Sequence, residues 1–184
     1  MALTVEPDEW RIYRELANMY NQRGEYPAAL DISEKGYQKF PGNYILDIVY
    51  AKSLTNNGLF EKSLEVLGRT NILPYEGERS AQNIFEYNYL MLAYNRFLDG
   101  DYDSALGYLD RSEKHPENLG SGMPHHPDFR NQLTLRARIY DRTGHPDQAR
   151  EAREEIREYT ERFGEMRGGN LFERMLTDSF KPPF

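Results

Sequence analysis

The sequence contains no cysteine, which excludes disulfide bonds, thiolate metal sites and cysteine nucleophiles. It also lacks a basic excess, because 30 aspartate and glutamate residues outnumber 23 lysine and arginine residues and give a formal net charge of −7. A general nucleic-acid binder presents a basic face, so this composition argues against that class.

No apolar run approaches the roughly 20 residues that span a membrane. Met1–Pro7 lacks the basic start and apolar block of a secretory signal. We therefore expect a cytoplasmic protein that neither inserts into a membrane nor binds nucleic acid.

Motifs for catalysis and cofactor binding are missing as well. The sequence has no phosphate-binding glycine loop, zinc-ligand spacing or nucleophile elbow. The most site-like cluster is His125–Asp128, which reads His-His-Pro-Asp. Adjacent side chains in an extended segment point apart, so a solvated loop in which Asp128 caps the next helix is the simpler interpretation. We expect no enzyme activity, no cofactor and no metal, with a metal-dependent enzyme using the His125–Asp128 loop as a remote alternative.

A motif with three parts recurs four times along the chain. Each copy is centred on a glycine, with a small residue seven positions before it and another five positions after it. All three series share the spacings 34, 42 and 44. Four copies in register indicate a repeat architecture. The glycines are Gly24, Gly58, Gly100 and Gly144; the small residues before them are Ala17, Ala51, Ala93 and Ala137, and those after them are Ala29, Ser63, Ala105 and Ala149.

Each copy is typical of two helices. Apolar residues recur at helical spacing on both sides of the glycine, and the glycine can adopt the left-handed conformation that ends a helix. Pro41, Pro74 and Pro116 then stop the second helix in three copies. The small residues allow close approach where the two helices of a pair cross. The pattern predicts an all-α fold with at least eight main helices in antiparallel pairs.

The repeat resembles the tetratricopeptide repeat family. Its first copy, Trp10–Asn43, has the family length of 34 residues. The residues that match the family pattern in order are Tyr13, Leu16, Ala17, Tyr20, Gly24, Tyr26, Ala29, Gly36 and Pro41. The resemblance implies a right-handed superhelix (solenoid) of about four repeats within residues 1–164, at about 10–43, 44–77, 83–118 and 129–163.

The surplus residues lie in two long connections, about Pro74–Gln82 and Pro116–Asp128. These connections are similar to those of long bacterial proteins that join a domain of unknown function to a tetratricopeptide array. That second, weaker resemblance implies no activity. It leaves open that the chain is a piece of a longer protein.

Residues 165–184 form a tail that follows the last repeat. Met166–Asn170 is a glycine-rich break, and Leu171–Phe180 can form a short capping helix. Four apolar residues on one side of this helix would be costly to leave in water. We therefore expect the tail to dock, either on its own array or on a second copy of the chain in a homodimer. These four residues are Leu171, Phe172, Met175 and Leu176.

In the resembled family, ligand contacts come from first-helix positions that lie between the core positions. The residues predicted to bind a partner here are Arg11, Arg14, Asn18, Lys52, Asn56, Tyr87, Tyr94, Phe97, Arg138 and Arg142. The same lining includes Gln22, Ile45, Ile48, Leu90, Asn131 and Thr134. It contains five cations and no carboxylate.

Such a lining suits a protein or peptide partner with acidic or terminal carboxylate groups. Arg14 and Asn18 coincide with the carboxylate clamp of chaperone-binding family members, whereas Val49, Tyr87 and Met91 depart from it. The leading hypothesis is a non-catalytic protein-interaction scaffold. The alternatives are a structural spacer or dimerisation module of a larger protein, and a lining that packs against the inserts, the tail or a neighbouring repeat.

Overall fold

The computed structural model describes residues 8–73 and 79–175, and within these ranges the chain is all-helical, with nine α-helices and no strand. The prediction of an all-α fold with eight main helices is confirmed, and a short ninth helix follows them. The helices are α1 Trp10–Arg23, α2 Tyr26–Lys39, α3 Tyr44–Asn56, α4 Phe60–Arg69, α5 Ser80–Leu98, α6 Tyr102–Ser112, α7 Arg130–Thr143, α8 Pro146–Phe163 and α9 Leu171–Arg174.

The repeated glycines separate the two helices of each pair. All four have positive φ angles, between 73° and 77°. This conformation is strained for residues with a side chain, whereas glycine adopts it readily. At the end of α1, the Gly24 N–H bonds to the carbonyl of Asn21, which satisfies one of the last carbonyls of that helix. The glycine register therefore predicts where the first helix of each pair ends.

The chain divides into two compact units. The described residues of the first unit are 8–73, 79–88 and 116–122, and those of the second are 89–115 and 123–175. Helix α5 contributes residues to both units. In the first unit, α1 packs on α2 and α3, α2 on α3, and α3 on α4; in the second, α7 packs on α6, α8 and α9. Helices that are neighbours in sequence thus pack together within each unit.

Small residues occupy the helix crossings of the first unit. Ala17 and Ala29 are fully buried, which permits α1 and α2 to approach closely. Around them, Tyr13 is buried and packs edge-on against Phe40, with ring centroids 5.9 Å apart. The α2 residue Gly36 lies so close to Tyr13 that an added Cβ would be 2.8 Å from the Tyr13 Cβ.

A buried hydrogen-bond network joins α3, α4 and α5 in the first unit. The Thr55 hydroxyl lies 2.8 Å from the Asn88 Oδ1, and the Asn88 Nδ2 donates to the Ser63 hydroxyl at the same distance. The Ser63 hydroxyl in turn lies 2.9 Å from the Ala51 carbonyl. All of these residues are buried, so the network satisfies polar groups that would otherwise be costly in the interior.

The second long connection is partly built into the first unit. Residues Glu117–Leu119 form a single 3-10 turn, and Leu119 is buried. The Asn118 side chain donates to the carbonyls of Leu67 and Thr70, which lie at the end of α4. The Asn118 carbonyl accepts the Ile72 N–H at 2.8 Å. The predicted long connection is present, and its first part, Pro116–Gly122, forms a packed turn that caps α4. Of the first connection, residues 74–78 lie outside the described residues.

The second unit has its own core along α7. Leu135, Ile139 and Leu109 are fully buried, and the small residues Ala137 and Ala149 lie buried on α7 and α8. Arg136, on another side of α7, forms ion pairs of 2.8 Å with Asp110 and Glu113. None of the helices in the described ranges is both long enough and apolar enough to cross a membrane.

Candidate functional site

The predicted lining residues belong to both units, and we define one face within each unit. The first face consists of Arg11, Arg14, Asn18, Ile45, Ile48 and Lys52, on α1 and α3 of the first unit. The second face consists of Tyr94, Phe97, Asn131, Thr134, Arg138 and Arg142, on α5 and α7 of the second unit.

The two arginines of the first face contact neighbouring groups on α1 and Glu9, the residue that precedes the helix. Both guanidinium groups lie over the Trp10 ring, at 4.8 Å for Arg11 and 5.3 Å for Arg14. Arg11 pairs with Glu9 at 2.9 Å, and Arg14 pairs with Glu15 at 2.6 Å. The lining has no carboxylate of its own, but flanking carboxylates already partly neutralise these two cations. Exposed pairs of this kind contribute little to stability, so an anionic ligand can replace the carboxylates as the partner of the two arginines.

Lys52 differs from the arginines of the first face. Its side chain is partly buried, and this burial lowers the pKa of its ammonium group. Among the described residues, it has no carboxylate or hydrogen-bond partner. A cation that has lost part of its hydration without gaining a counter-ion raises the free energy of the protein.

Hydrogen bonds between α1 and α3 locate Lys52 relative to α1. The Asn21 side chain donates to the Ser53 hydroxyl at 3.1 Å and accepts from the Asn56 side chain at 2.8 Å. One helical turn earlier on both helices are Asn18 and Lys52, so these two side chains share one stretch of the first face. Both are partly buried.

Two predicted binding residues are taken up by packing instead. Asn56 is buried and bonded to Asn21. Tyr87 is buried, and its ring meets Phe60 edge-on at 6.4 Å. Neither side chain is displayed for a ligand, because the α1–α3 and α4–α5 contacts enclose them. The sequence pattern put them among the lining residues because it assigned positions by repeat register alone.

The aromatic part of the second face is covered by the tail. The Tyr94 ring lies 5.3 Å from the Phe172 ring and 6.4 Å from the Phe97 ring, by their centroids. Phe172 is fully buried and Leu171 nearly so, whereas Met175 is partly buried. The described part of the tail thus docks on its own chain, which is the first of the two predicted alternatives. Leu176 lies outside the described residues.

Polar residues of the second face also bind the tail. The Asn131 Oδ1 accepts the backbone N–H of Leu171 at 2.9 Å. The Thr134 hydroxyl accepts from the Asn170 side chain at 2.8 Å. Three lining positions, Tyr94, Asn131 and Thr134, therefore contact one short segment of the chain. The sequence pattern predicts both the lining and the docking of the tail, but not that they pair with each other.

The remaining residues of the second face are cations. Arg138 is partly buried and Arg142 is exposed. Within the part of the chain that the structure describes, neither forms an ion pair or a hydrogen bond. They extend the second face along α7 beyond the docked tail.

The His125–Asp128 loop is organised around a buried arginine. Both oxygens of Asp128 accept from the Arg130 guanidinium, at 2.9 and 2.8 Å. Arg130 also donates to the Thr160 hydroxyl and to the Gly164 carbonyl, at 3.0 and 2.8 Å. Burial acts to raise the pKa of Asp128, but the hydrogen bonds from Arg130 outweigh it and the pKa is lowered. Asp128 also accepts the Arg130 N–H at 3.2 Å, which caps the start of α7.

The histidines of this loop are exposed, and their rings lie close together at a steep angle. The His125 and His126 rings lie 4.4 Å apart, and His126 lies 4.9 Å from the Phe163 ring. The described residues contain no group of three histidine, aspartate or glutamate side chains that could hold a metal ion. Asp128, the carboxylate of the remote metal-enzyme alternative, is bound to Arg130 instead.

No protein-family model matches the chain, and a search of the curated proteins gives no significant match.

Proposed function

We propose that the protein is a non-catalytic scaffold of tetratricopeptide-like helix pairs, which binds a peptide segment of a protein partner on the first face. The observation that supports this most is Lys52, a partly buried cation that has no partner among the described residues. Its neighbour Asn18 can hydrogen-bond a peptide group. The partner segment carries an acidic side chain or a terminal carboxylate.

The energetics of Lys52 favour an anionic ligand. A hydrogen bond between two charged groups contributes about 1.5–3 kcal/mol, and the gain is larger where the cation has already lost hydration in the free protein. Ile45 and Ile48 lie on the same helix and are partly buried. Ile48 packs against the core of the first unit, so Ile45 is the residue that can supply apolar contact to a ligand. Arg14, whose partner Glu15 is exposed, provides a second attraction at the edge of the face.

The second face supports the same function independently. Its Asn131 already accepts the backbone N–H of Leu171, the first residue of α9, and a side-chain amide can bind the backbone of a partner segment in the same way. The proposal is one of binding alone. In the His125–Asp128 loop, which the metal-dependent enzyme alternative would use, Asp128 is the counter-ion of Arg130.

A peptide array tests the proposal. We expect the protein to retain peptides with free carboxyl ends or acidic side chains over the same sequences with amidated ends and neutral side chains. Retention should weaken at high salt, since exposed charges act over only about 10 Å at 0.1 M salt. Equal retention of the acidic and neutral series, or none of either, would overturn the assignment of the first face to an anionic peptide.

A further inference from the structure

We propose that Asn170–Met175 is an internal ligand of the second face, and that this face binds partner segments of the same chemistry. Such a segment has an asparagine that caps a single helical turn, followed by an aliphatic and then an aromatic residue. The inference rests on the proposed function, since it specifies the partner of a second peptide-binding face.

The site for the aromatic residue is deep. Phe172 is fully buried although it belongs to a helix of four residues. Its ring lies against the Tyr94 ring with a centroid separation of 5.3 Å, a distance typical of a stabilising aromatic pair. Leu171 is 6% exposed beside it. A buried phenyl ring is the kind of anchor that dominates peptide recognition.

The polar contacts recognise the backbone and the cap. The Asn131 Oδ1 accepts the Leu171 N–H, and the Thr134 hydroxyl accepts from the Asn170 Nδ2. The Asn170 Oδ1 accepts the Phe172 N–H at 3.0 Å, which closes the turn. A partner that makes the same contacts therefore has an asparagine at the cap and apolar residues at the next two positions.

The internal ligand is attached in a way that allows its replacement. A helix of four residues is not stable in isolation, so α9 depends on its anchor residues. It is joined to α8 by a connection in which Gly164, Gly168 and Gly169 all have positive φ, and glycine adopts such backbone readily. A tethered segment competes at an effective concentration in the millimolar range. The intact chain therefore binds an added segment only weakly.

The test is the binding of a fluorescent peptide of residues 165–175 to the full-length protein and its variants. We expect weak binding to the wild type and binding at least about tenfold tighter to Phe172→Ala, in which the tethered competitor lacks its anchor. Adding Asn131→Ala to Phe172→Ala should reverse the gain. The matched control is Phe163→Ala. It removes the same side chain at the end of α8, where Phe163 is 43% exposed, and this variant should bind as the wild type does.

Several results would overturn the proposal. Equal binding to wild type and folded Phe172→Ala would show that the tail does not compete, and absence of binding to both would make α9 a permanent part of the second unit. Self-association of the wild type that Phe172→Ala abolishes would make the occupant a second copy of the chain. These outcomes do not change the expected effect of Lys52→Gln on the binding of a carboxylate-ended peptide, which tests the first face. Failure here is therefore distinguishable from failure of the proposed function.

Hydrogen exchange of the wild-type protein provides a measurement that does not depend on the folding of any variant. The amides of Leu171 and Phe172 should exchange through local opening, much faster than the buried amides of α7. If the tail amides and the buried α7 amides exchange at one common rate, the tail leaves only when the second unit unfolds. That result would also overturn the proposal.

Discussion

Gly36→Leu is expected to lower the free energy of unfolding by about 3 kcal/mol, the upper part of the range for overpacking a core. A Cβ at position 36 would lie 2.8 Å from the Tyr13 Cβ and 3.1 Å from its Cγ. The Tyr13 Cβ is bonded directly to the backbone of α1, so it cannot swing away as the tip of a long side chain can. Tyr13 is itself buried, and α1 must move away from α2 to accept the leucine.

Gly68→Leu is the matched control on α4. A Cβ at Gly68 would have no neighbouring atom within 4 Å, and leucine is the better helix former by about 0.8 kcal/mol. This control should therefore be neutral or stabilising. Urea denaturation of both variants measures the difference. Equal losses in the two proteins would show that α1 and α2 are not packed as closely as described.

Asn88→Asp is expected to destabilise the protein by roughly 3 kcal/mol at pH 7, because it places a carboxylate in a buried network. The new oxygen would replace the Asn88 Nδ2, which donates to the Ser63 hydroxyl. The carboxylate oxygen and the Ser63 hydroxyl oxygen would then both be acceptors. Ser63 could donate to the carboxylate only by giving up its hydrogen bond to the Ala51 carbonyl. Asn88 is fully buried, so water cannot compensate.

The loss in Asn88→Asp should depend on pH. Burial raises the pKa of a carboxyl group, so between its ordinary and its raised pKa the folded state binds more protons than the unfolded state. The deficit relative to wild type should therefore shrink as the pH falls through the raised pKa. Asn83→Asp is the control, since Asn83 is exposed on the same helix. Denaturation of both variants at neutral and acidic pH measures the effect, and a deficit in Asn88→Asp that does not change with pH would contradict a buried carboxylate.

The helices were predictable because their signals are local. Each glycine that ends a first helix has a positive φ, and each small residue of the register is buried, as are Ala17 and Ala29 on the packed helices α1 and α2. These requirements act within one helix pair. They recur at the same offsets, so a single sequence is enough to detect them.

The candidate site was less predictable because it depends on contacts between distant residues. The sequence pattern predicts that Arg130 is a solvated residue of an amphipathic helix. In the structure it is buried and donates to Asp128, Thr160 and Gly164. Asn118 reads as part of a loop, yet it caps α4 from 48 residues away. The docking of Leu171 on Asn131 likewise spans 40 residues. Composition and spacing do not encode such pairings in one sequence.

The measurement that tests peptide binding on the first face most directly is the affinity of one array-selected, carboxylate-ended peptide for three proteins. These are the wild type, Lys52→Gln and Lys62→Gln, in which Lys62 is an exposed residue of α4. Lys52→Gln should remain folded, because burial already disfavours the charge of Lys52, and it should weaken binding about tenfold, equivalent to about 1.4 kcal/mol. Lys62→Gln should bind as the wild type does. Unchanged affinity for Lys52→Gln, or an equal loss for both variants, would contradict a binding site at Lys52.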